Sequence, residues 1–396
     1  MHQAHRPDRL VILLGMLVAF GPLAIDLYLP ALPAIALGLA APAAQVQLSI
    51  TVFLAGFALG MLCYGPISDR YGRRPLLLAG IALFVCASLA CLLAAGIEQL
   101  IVARFFQALG GGAASVLART VVRDVFRPAE ALRTLSLMAM VTAIAPLVAP
   151  LIGGVLLASF GWRGTFASLF CWGLISLAVV WKLLPESLSA ENRGQLPLGA
   201  AFAAYFRLLA DPVALGLLLA GGMSFAGMFA YITASPFYFI ELGGLSPLTY
   251  SWIFAANALG IFAANYLNSR LVHSRGAAAM AGIGCALAFL GALILPLAIR
   301  LPEAMALTIA AMFVIVSMTG LLGANCVGLL MARYPNNAGA AAALFGAAQF
   351  GFGMLASASV SIYHDGSGQP MAWTILITST VSFAGYLLFR SAGRQA

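Results

Sequence analysis

The sequence predicts an all-α membrane protein in which twelve transmembrane helices form two six-helix bundles. The first observation is composition: the 396 residues are 63% hydrophobic and only 8% charged, with a mean hydropathy of +1.02. Soluble domains carry about 25% charged residues, so this composition excludes that class. The second is that apolar runs of about 20 residues, the length that crosses a bilayer, recur along almost the whole chain. The third is one longer polar stretch, residues 185–211, which separates six runs from six.

Short polar breaks separate the apolar runs, and each run is long enough to cross the membrane as a helix. The crossings are predicted at residues 10–35, 45–66, 76–96, 98–119, 134–158, 164–184, 212–240, 248–270, 277–299, 303–330, 338–362 and 370–390. The chain is accordingly divided into an N-terminal six-helix bundle (1–184), a cytoplasmic linker (185–211) and a C-terminal six-helix bundle (212–396). The first run also resembles a signal peptide, but its length and Asp26 favour an uncleaved helix.

Basic residues predict the orientation of this array, because short loops rich in Lys and Arg stay in the cytoplasm. With the N-terminus inside, 17 of the 20 basic residues fall in cytoplasmic segments. Only Arg163 and Arg300 lie outside, and Arg104 is left within a span. We therefore predict that both termini are cytoplasmic. The net charge of +8 follows from this topology and not from nucleic-acid binding.

Two charged residues are predicted to lie inside the membrane, Asp26 in the first span and Arg104 in the fourth. A charge at bilayer depth costs about 3 kcal/mol on insertion scales and often marks a functional site. At 1.5 Å per residue each lies roughly 10 Å from the outer end of its span, so a direct or water-bridged pair is feasible. Burial favours a neutral carboxyl group and a nearby cation favours a charged one, so substrate and water access can tune proton occupancy. We predict that Asp26 carries a coupled proton and that Arg104 tunes it and contacts substrate; a structural ion pair is the alternative.

The loop after the second span reads Gly65-Pro-Ile-Ser-Asp69-Arg70-Tyr-Gly72-Arg73-Arg74. We expect Gly72 to form a tight turn and the arginines to anchor the loop at the anionic inner leaflet. Asp69 is expected to cap a helix N-terminus or to pair with Arg73, latching the two halves in one state, and Asp124 could join this gate. A solvated basic loop is the alternative. The pattern G-x-x-x-D-R-x-G-R-R/K resembles the signature loop of the major facilitator superfamily, which implies its twelve-helix transporter fold.

Two further spans resemble proton-coupled exporters of that superfamily. Span four carries Arg104, Gln107 and Gly110 in a pattern similar to R-x-x-Q-G-x-G, with Ala108 where glycine is usual. Span five reads Ala145-Pro146-Leu-Val-Ala149-Pro150-Leu-Ile-Gly153-Gly154. It is similar to the antiporter signature G-x-x-x-G-P-x-x-G-G, with alanine at both leading glycine positions. The resemblance implies antiport; a kinked helix used only for packing is the alternative.

Span one carries the narrowest resemblance. Its segment Asp26-Leu-Tyr28-Leu-Pro30-Ala-Leu-Pro33 is similar to the bicyclomycin/chloramphenicol-resistance (Bcr/CflA) subfamily of drug/proton antiporters. The resemblance extends over essentially the full length. It implies proton-coupled export of amphipathic antibiotics across a bacterial inner membrane by alternating access, with the proton gradient in place of a cofactor. We expect a monomer whose partners are the drug, protons and membrane lipid; an exporter or passive facilitator of a small metabolite is the alternative function.

Substrate recognition is expected from aromatic, amide and methionine side chains around a mostly apolar cavity, because such groups adapt to chemically varied ligands. The candidates are Tyr28, Phe57, Met61, Gln107, Met138, Phe225, Tyr231 and Asn257. Packing alone is the alternative for each of them.

Other chemistry finds little support in the sequence. The six cysteines lie in apolar runs without metal-ligand spacing, and the four histidines lie in terminal or loop regions. Neither a phosphate-binding loop nor a nucleophile motif is present. We therefore predict a secondary transporter with no catalytic residues and no metal site.

Overall fold

The computed structural model describes residues 7–188 and 198–393, and all regular secondary structure within these ranges is helical. The N-terminal half contains α1 (Pro7–Val18), α2 (Phe20–Asp26), α3 (Leu32–Gly38), α4 (Ala43–Tyr71), α5 (Arg73–Leu92), α6 (Ile97–Val125) and α7 (Pro128–Leu183). Helix α8 (Leu198–Leu209) lies in the linker. The C-terminal half contains α9 (Pro212–Pro236), α10 (Pro247–Arg275), α11 (Ala277–Ala298), α12 (Met305–Arg333), α13 (Ala338–Ile362) and α14 (Gln369–Ala392).

Twelve membrane crossings are formed by these helices. Eleven segments in the described ranges are long and apolar enough to cross a membrane. One of them lies in α7, whose 56 residues would extend about 84 Å at 1.5 Å per residue, nearly three times the thickness of a hydrocarbon core. Gly161, with a φ of 68°, breaks α7 between the predicted spans at 134–158 and 164–184. The predicted all-α fold with twelve crossings is therefore confirmed.

The first crossing is interrupted in the middle of the bundle. Helix α2 ends at Asp26 because Pro30, four residues later, has no N–H to donate to the Asp26 carbonyl oxygen. A 3₁₀ turn over Leu29–Ala31 then leads into α3. Irregular backbone at membrane depth requires cover from protein or water, and residues 26–32 are all buried. The interruption therefore places Asp26 at a break in the helix and inside the protein.

Sharp glycine turns occupy equivalent places in the two halves. Gly72 joins α4 to α5 with a φ of 100°, and Gly276 joins α10 to α11 with a φ of 81°. Side chains other than hydrogen rarely adopt this left-handed conformation. The predicted turn at Gly72 is confirmed. A glycine turn with positive φ also follows the shorter basic segment around Arg275. The two halves therefore repeat each other in backbone more than in sequence.

The two halves meet along α4 and α13 and along α7 and α10. Thr51 Oγ1 of α4 and Ser357 Oγ of α13 are hydrogen bonded at 2.8 Å. Ser251 Oγ of α10 donates to the Pro150 carbonyl oxygen of α7 at 3.0 Å. We call the end of the bundles that carries α8 the linker end and the opposite end the far end. The Pro150–Ser251 contact lies towards the far end of both helices.

Helix α8 differs from the expected polar linker. Tyr205 and Leu208 are buried against the C-terminal half, whereas Phe206 on the other side is 72% exposed. A helix of 12 residues is too short to cross a bilayer, so no apolar run of span length marks it in the sequence. Residues 189–197, which complete the predicted linker, lie outside the described residues.

Candidate translocation site

Asp26 is buried where the first crossing meets the C-terminal half. It is only 4% exposed. Within residues 7–188 and 198–393 its carboxyl group has neither a hydrogen-bond donor nor an ion-pair partner. Tyr250 of α10 lies within electrostatic range of it, and the 3₁₀ turn that follows contacts α9 and α10. The predicted proton carrier is thus an isolated carboxyl group between the two halves.

Arg104 does not pair with Asp26. Its guanidinium Nη1 donates to the Ala24 carbonyl oxygen at 2.9 Å and to Gln107 Oε1 at 2.5 Å. Arg104 is 0% exposed, and its Nε and Nη2 find no hydrogen-bond acceptor among the described residues. Direct contact between the two intramembrane charges, which the sequence left open, is therefore absent in this structure.

Aromatic rings enclose the Arg104 guanidinium in place of an acid. Its Cζ lies 4.2 Å from the ring centroid of Phe53, 4.6 Å from Tyr28 and 6.0 Å from Phe166. Each such contact is worth about 0.5–2 kcal/mol when desolvated, which partly offsets the cost of burying the cation. The Tyr28 hydroxyl is hydrogen bonded to Ser49 Oγ, which fixes one wall of this cage. A coupling role for Arg104 stays a prediction, and contact with substrate would require the cage to open.

The predicted antiporter helix packs directly on the turn that follows Asp26. A Cβ atom at Gly153 would overlap the Leu27 carbonyl oxygen and lie 2.9 Å from its carbon. A Cβ atom at Gly154 would lie 3.2 Å from Ser251 Oγ of α10. The two glycines therefore allow α7 to approach both the interrupted first crossing and the C-terminal half.

A cavity of ≈ 350 Å³ lies between α7 and α10, on the linker-end side of the Pro150–Ser251 contact. This volume is in the range of about 300–1,000 Å³ that is typical of small-molecule sites. Its apolar walls are formed by Leu135, Met138, Ala139, Ala143, Pro146, Ala258, Ile261 and Phe262. Its polar lining consists of Arg119, Thr142 and Asn265. The cavity is mostly apolar with a few polar groups and is shared by both halves.

Met138 is the predicted substrate residue that lines this cavity, together with Pro146 of the antiporter helix. Gln107 is 0% exposed and donates through Nε2 to Ser88 Oγ at 2.8 Å while it holds Arg104. Tyr231 and Asn257 are both buried, and the Asn257 Nδ2 donates to the Tyr231 hydroxyl at 2.8 Å. These polar side chains are engaged with one another, so their contact with substrate stays a prediction.

The remaining predicted substrate residues lie where α4 meets α9 and α13. Phe57 and Phe225 both pack on Phe350, with ring centroids 4.5 Å and 5.2 Å apart. Met61 lies against Gly346, at which a Cβ atom would be 2.5 Å from the methionine Cε. This aromatic cluster is a further contact between the two halves, next to the α4–α13 hydrogen bond.

Arg119 is the site residue that sequence reasoning missed. Span four is predicted to end at residue 119, so the positive-inside rule places Arg119 among the cytoplasmic charges. Helix α6 in fact continues to Val125, and the Arg119 side chain is exposed because it faces the cavity. The sequence does contain a signal. Arg119 lies 15 residues after Arg104, and at about 100° per residue the two side chains lie within roughly 60° of the same helix face.

Arg73 is the centre of the loop between α4 and α5. Its Nη1 pairs with Asp69 Oδ1 at 2.5 Å and its Nε with Asp124 Oδ2 at 3.0 Å. The Arg73 and Arg74 amides donate to the two carboxylate oxygens of Glu186 at 2.9 Å and 3.3 Å. The predicted network of three charges forms, but its partners all belong to the N-terminal half and the start of the linker. The expected latch between the halves is not made by Arg73 in this structure.

Glu186 performs the helix capping that was expected of Asp69. Its carboxylate accepts from the first amides of α5, where the helix dipole favours a negative charge. Arg74 Nη2 also reaches the Trp181 carbonyl oxygen at 2.8 Å, so the end of α7 is tied to the start of α5. No local pattern indicates this contact, because Glu186 lies 113 residues from Arg73.

Replacing Glu186 with alanine is expected to destabilise the purified protein by about 1–2 kcal/mol, because the α5 amides lose their acceptor. Thermal unfolding in detergent measures the effect. The matched control is Glu303→Ala, which removes an exposed carboxylate at the far end. Equal melting temperatures for the two variants would show that the cap contributes nothing.

The family model described as Major Facilitator Superfamily matches residues 12–358. The chain belongs to the Major Facilitator Superfamily. This facilitator is a transporter and not an enzyme, as the sequence predicted.

Relatives over the full length support the narrower resemblance. The facilitator is 34% identical to "Uncharacterized MFS-type transporter YdgK" of Bacillus subtilis, covering 96% of both chains. It is 30% identical to "Bicyclomycin resistance protein homolog" of Haemophilus influenzae, covering 99% of this chain and 98% of that one. The predicted similarity to the bicyclomycin-resistance subfamily is therefore confirmed.

Solved structures show the same fold at low identity. A bacterial homologue of the human lysosomal transporter Spinster, in an inward-facing conformation, superposes with a TM-score of 0.76 at 16% identity and covers 99% of both chains. A D-xylose-proton symporter gives a TM-score of 0.75 at 18% identity and covers 96% of both chains. These structures establish the fold of this facilitator and carry no information about its substrate.

Proposed function

We propose that this facilitator is a proton-coupled efflux antiporter that exports chloramphenicol- or bicyclomycin-like amphipathic antibiotics across a bacterial inner membrane. It acts as a monomer by alternating access and uses the proton gradient in place of a cofactor. The observation that carries the proposal is Asp26: a buried carboxyl group between the two halves, with no protein partner among the described residues.

The position of Asp26 supports a coupling role over a structural one. A buried acid used for stability is paired or hydrogen bonded, because an isolated buried charge is costly. Asp26 has neither contact within residues 7–188 and 198–393, so its charge state depends on whether water or a proton can reach it. It lies at the break in the first crossing, and the 3₁₀ turn that follows contacts α9 and α10 of the C-terminal half. A change in how the halves meet would therefore change the surroundings of this carboxyl group.

The cavity supports an amphipathic substrate. Most of its lining is aliphatic or aromatic, and its polar lining comprises a guanidinium, a hydroxyl and an amide. Such a surface favours ligands with an apolar body and a few polar groups. The relative named for bicyclomycin resistance agrees with a drug substrate.

Drug accumulation in inside-out vesicles tests the proposal. Vesicles from a pump-deficient bacterium that expresses the facilitator should accumulate labelled chloramphenicol when respiration acidifies their lumen, and vesicles without it should not. Nigericin and valinomycin in potassium buffer, which together collapse the pH gradient and the membrane potential, should abolish the accumulation. Equilibration that is faster than in control vesicles but insensitive to these ionophores would instead identify a passive facilitator.

A further inference from the structure

Arg119 is a cation inside the bundle that the proposed proton coupling does not use. It lies six residues before the end of α6 at Val125, and its side chain lines the cavity between α7 and α10. Arg104, the other arginine deep in this helix, is enclosed by aromatic rings and is 0% exposed. Arg119 is exposed. Of the two arginines, Arg119 is therefore the one whose guanidinium is open to a molecule in the cavity.

No acid neutralises Arg119 in the parts of the chain that the structure describes. The ion pairs found there both belong to Arg73, and they engage Asp69 and Asp124. The Arg119 Nη1 donates to the Ser115 carbonyl oxygen of its own helix at 3.1 Å. A guanidinium has five N–H donors in a planar fork, so most of those on Arg119 have no acceptor among the residues that the structure describes.

The surroundings make this free charge selective. The cavity walls are mostly apolar, and Asn265 adds an amide from α10 on the opposite half. Apolar walls concentrate the field of a charge and strengthen its attraction for an anion. The same field repels a cationic ligand. We propose that Arg119 directs this cavity towards amphipathic substrates that carry an anionic group; this inference rests on the proposed function, in which the cavity receives the exported compound.

Three forms of one drug make the test specific for charge. Chloramphenicol is neutral, its hemisuccinate ester carries a carboxylate, and its deacylated base carries an ammonium group. Their binding to the purified full-length facilitator is measured by calorimetry in neutral dodecyl maltoside. The variants are Arg119→Gln, Arg119→Lys and, as the matched control, Arg123→Gln, which removes an exposed arginine one turn further along α6.

The expected result is a loss that follows the charge of the ligand. Arg119→Gln should weaken hemisuccinate binding about tenfold and leave neutral chloramphenicol within about twofold, while the cationic base binds equally or more tightly. Arg119→Lys should retain most of the hemisuccinate affinity, and Arg123→Gln should match the wild type. Equal weakening of all three ligands, or no weakening of the hemisuccinate, would overturn the proposal.

An anionic lipid also carries a negatively charged group that could bind Arg119. The same assay distinguishes such a lipid from an anionic substrate. If a lipid phosphate is the partner of Arg119, added phosphatidylglycerol should abolish hemisuccinate binding at low concentration, and that result overturns the substrate assignment. Vesicle accumulation of the same compounds separates the inference from the proposed function. Arg119-dependent binding without accumulation that nigericin and valinomycin together abolish would leave the inference intact and refute proton-coupled efflux.

Discussion

Asp26→Asn is expected to abolish uphill drug accumulation and to leave exchange of drug across the membrane intact. A gradient of one pH unit supplies about 1.4 kcal/mol per proton, enough for roughly tenfold accumulation when one proton is exchanged for one neutral drug molecule. Asparagine has the shape of aspartate but binds no proton. The accumulation ratio should therefore fall from about ten to about one, whereas exchange of labelled for unlabelled chloramphenicol continues.

The structure also predicts that this loss occurs without unfolding. Asp26 has no hydrogen bond or ion pair in the described ranges, so the amide replaces no contact. The melting temperature of Asp26→Asn should stay close to that of the wild type. The control is Asp365→Asn, the same chemical change in an exposed loop at the far end, which should accumulate drug normally. Wild-type accumulation by Asp26→Asn would remove this residue from proton coupling.

Gly153→Ala is expected to damage both stability and transport. The new Cβ would overlap the Leu27 carbonyl oxygen, and because the obstacle is backbone it cannot rotate away. Forcing a methyl group into such a contact costs about 1–3 kcal/mol. The shift falls on the turn next to Asp26, so uphill transport should fall further than the loss of folded protein explains. Thermal unfolding and accumulation per folded molecule measure the two effects.

Gly328→Ala is the matched control for this prediction. Gly328 also lies within a helix, but a Cβ there meets no atom within 4 Å. Alanine should be neutral or stabilise the helix by about 0.5–1 kcal/mol, since glycine loses more entropy on folding. If Gly153→Ala behaved like Gly328→Ala, the close approach of α7 to the first crossing would have no functional meaning.

The sequence predicted the fold because spans and tight turns are determined by residues that are close together in the chain. The lengths of the apolar runs predicted the crossings, and Gly72 predicted the turn at its position. The break after Asp26 has an equally local cause, because Pro30 leaves the Asp26 carbonyl oxygen without its helical donor. The break at Gly161 also falls between two predicted spans. Each of these features depends on residues within a short stretch of the chain, so a single sequence is enough to indicate it.

The site was less predictable because its contacts join distant residues. The predicted depths put Asp26 and Arg104 at the same level of the membrane. Depth along a helix does not determine which way a side chain points around the helix axis, and the Arg104 side chain points into an aromatic cage. Glu186 caps a helix more than a hundred residues away. The positive-inside rule alone explains the charge of Arg119 as a residue at the cytoplasmic end of span four. Its exposure to a cavity depends on how α7 and α10 diverge, which no local pattern encodes.

Proton release on drug binding tests the central claim most directly. Purified facilitator is placed in weakly buffered detergent solution at a series of pH values, and chloramphenicol is added while a pH indicator is followed. The account predicts release of up to one proton per drug molecule bound by the wild type and none by Asp26→Asn, although the variant still binds drug. Drug binding without proton release by the wild type at every pH, or undiminished release by Asp26→Asn, would contradict it.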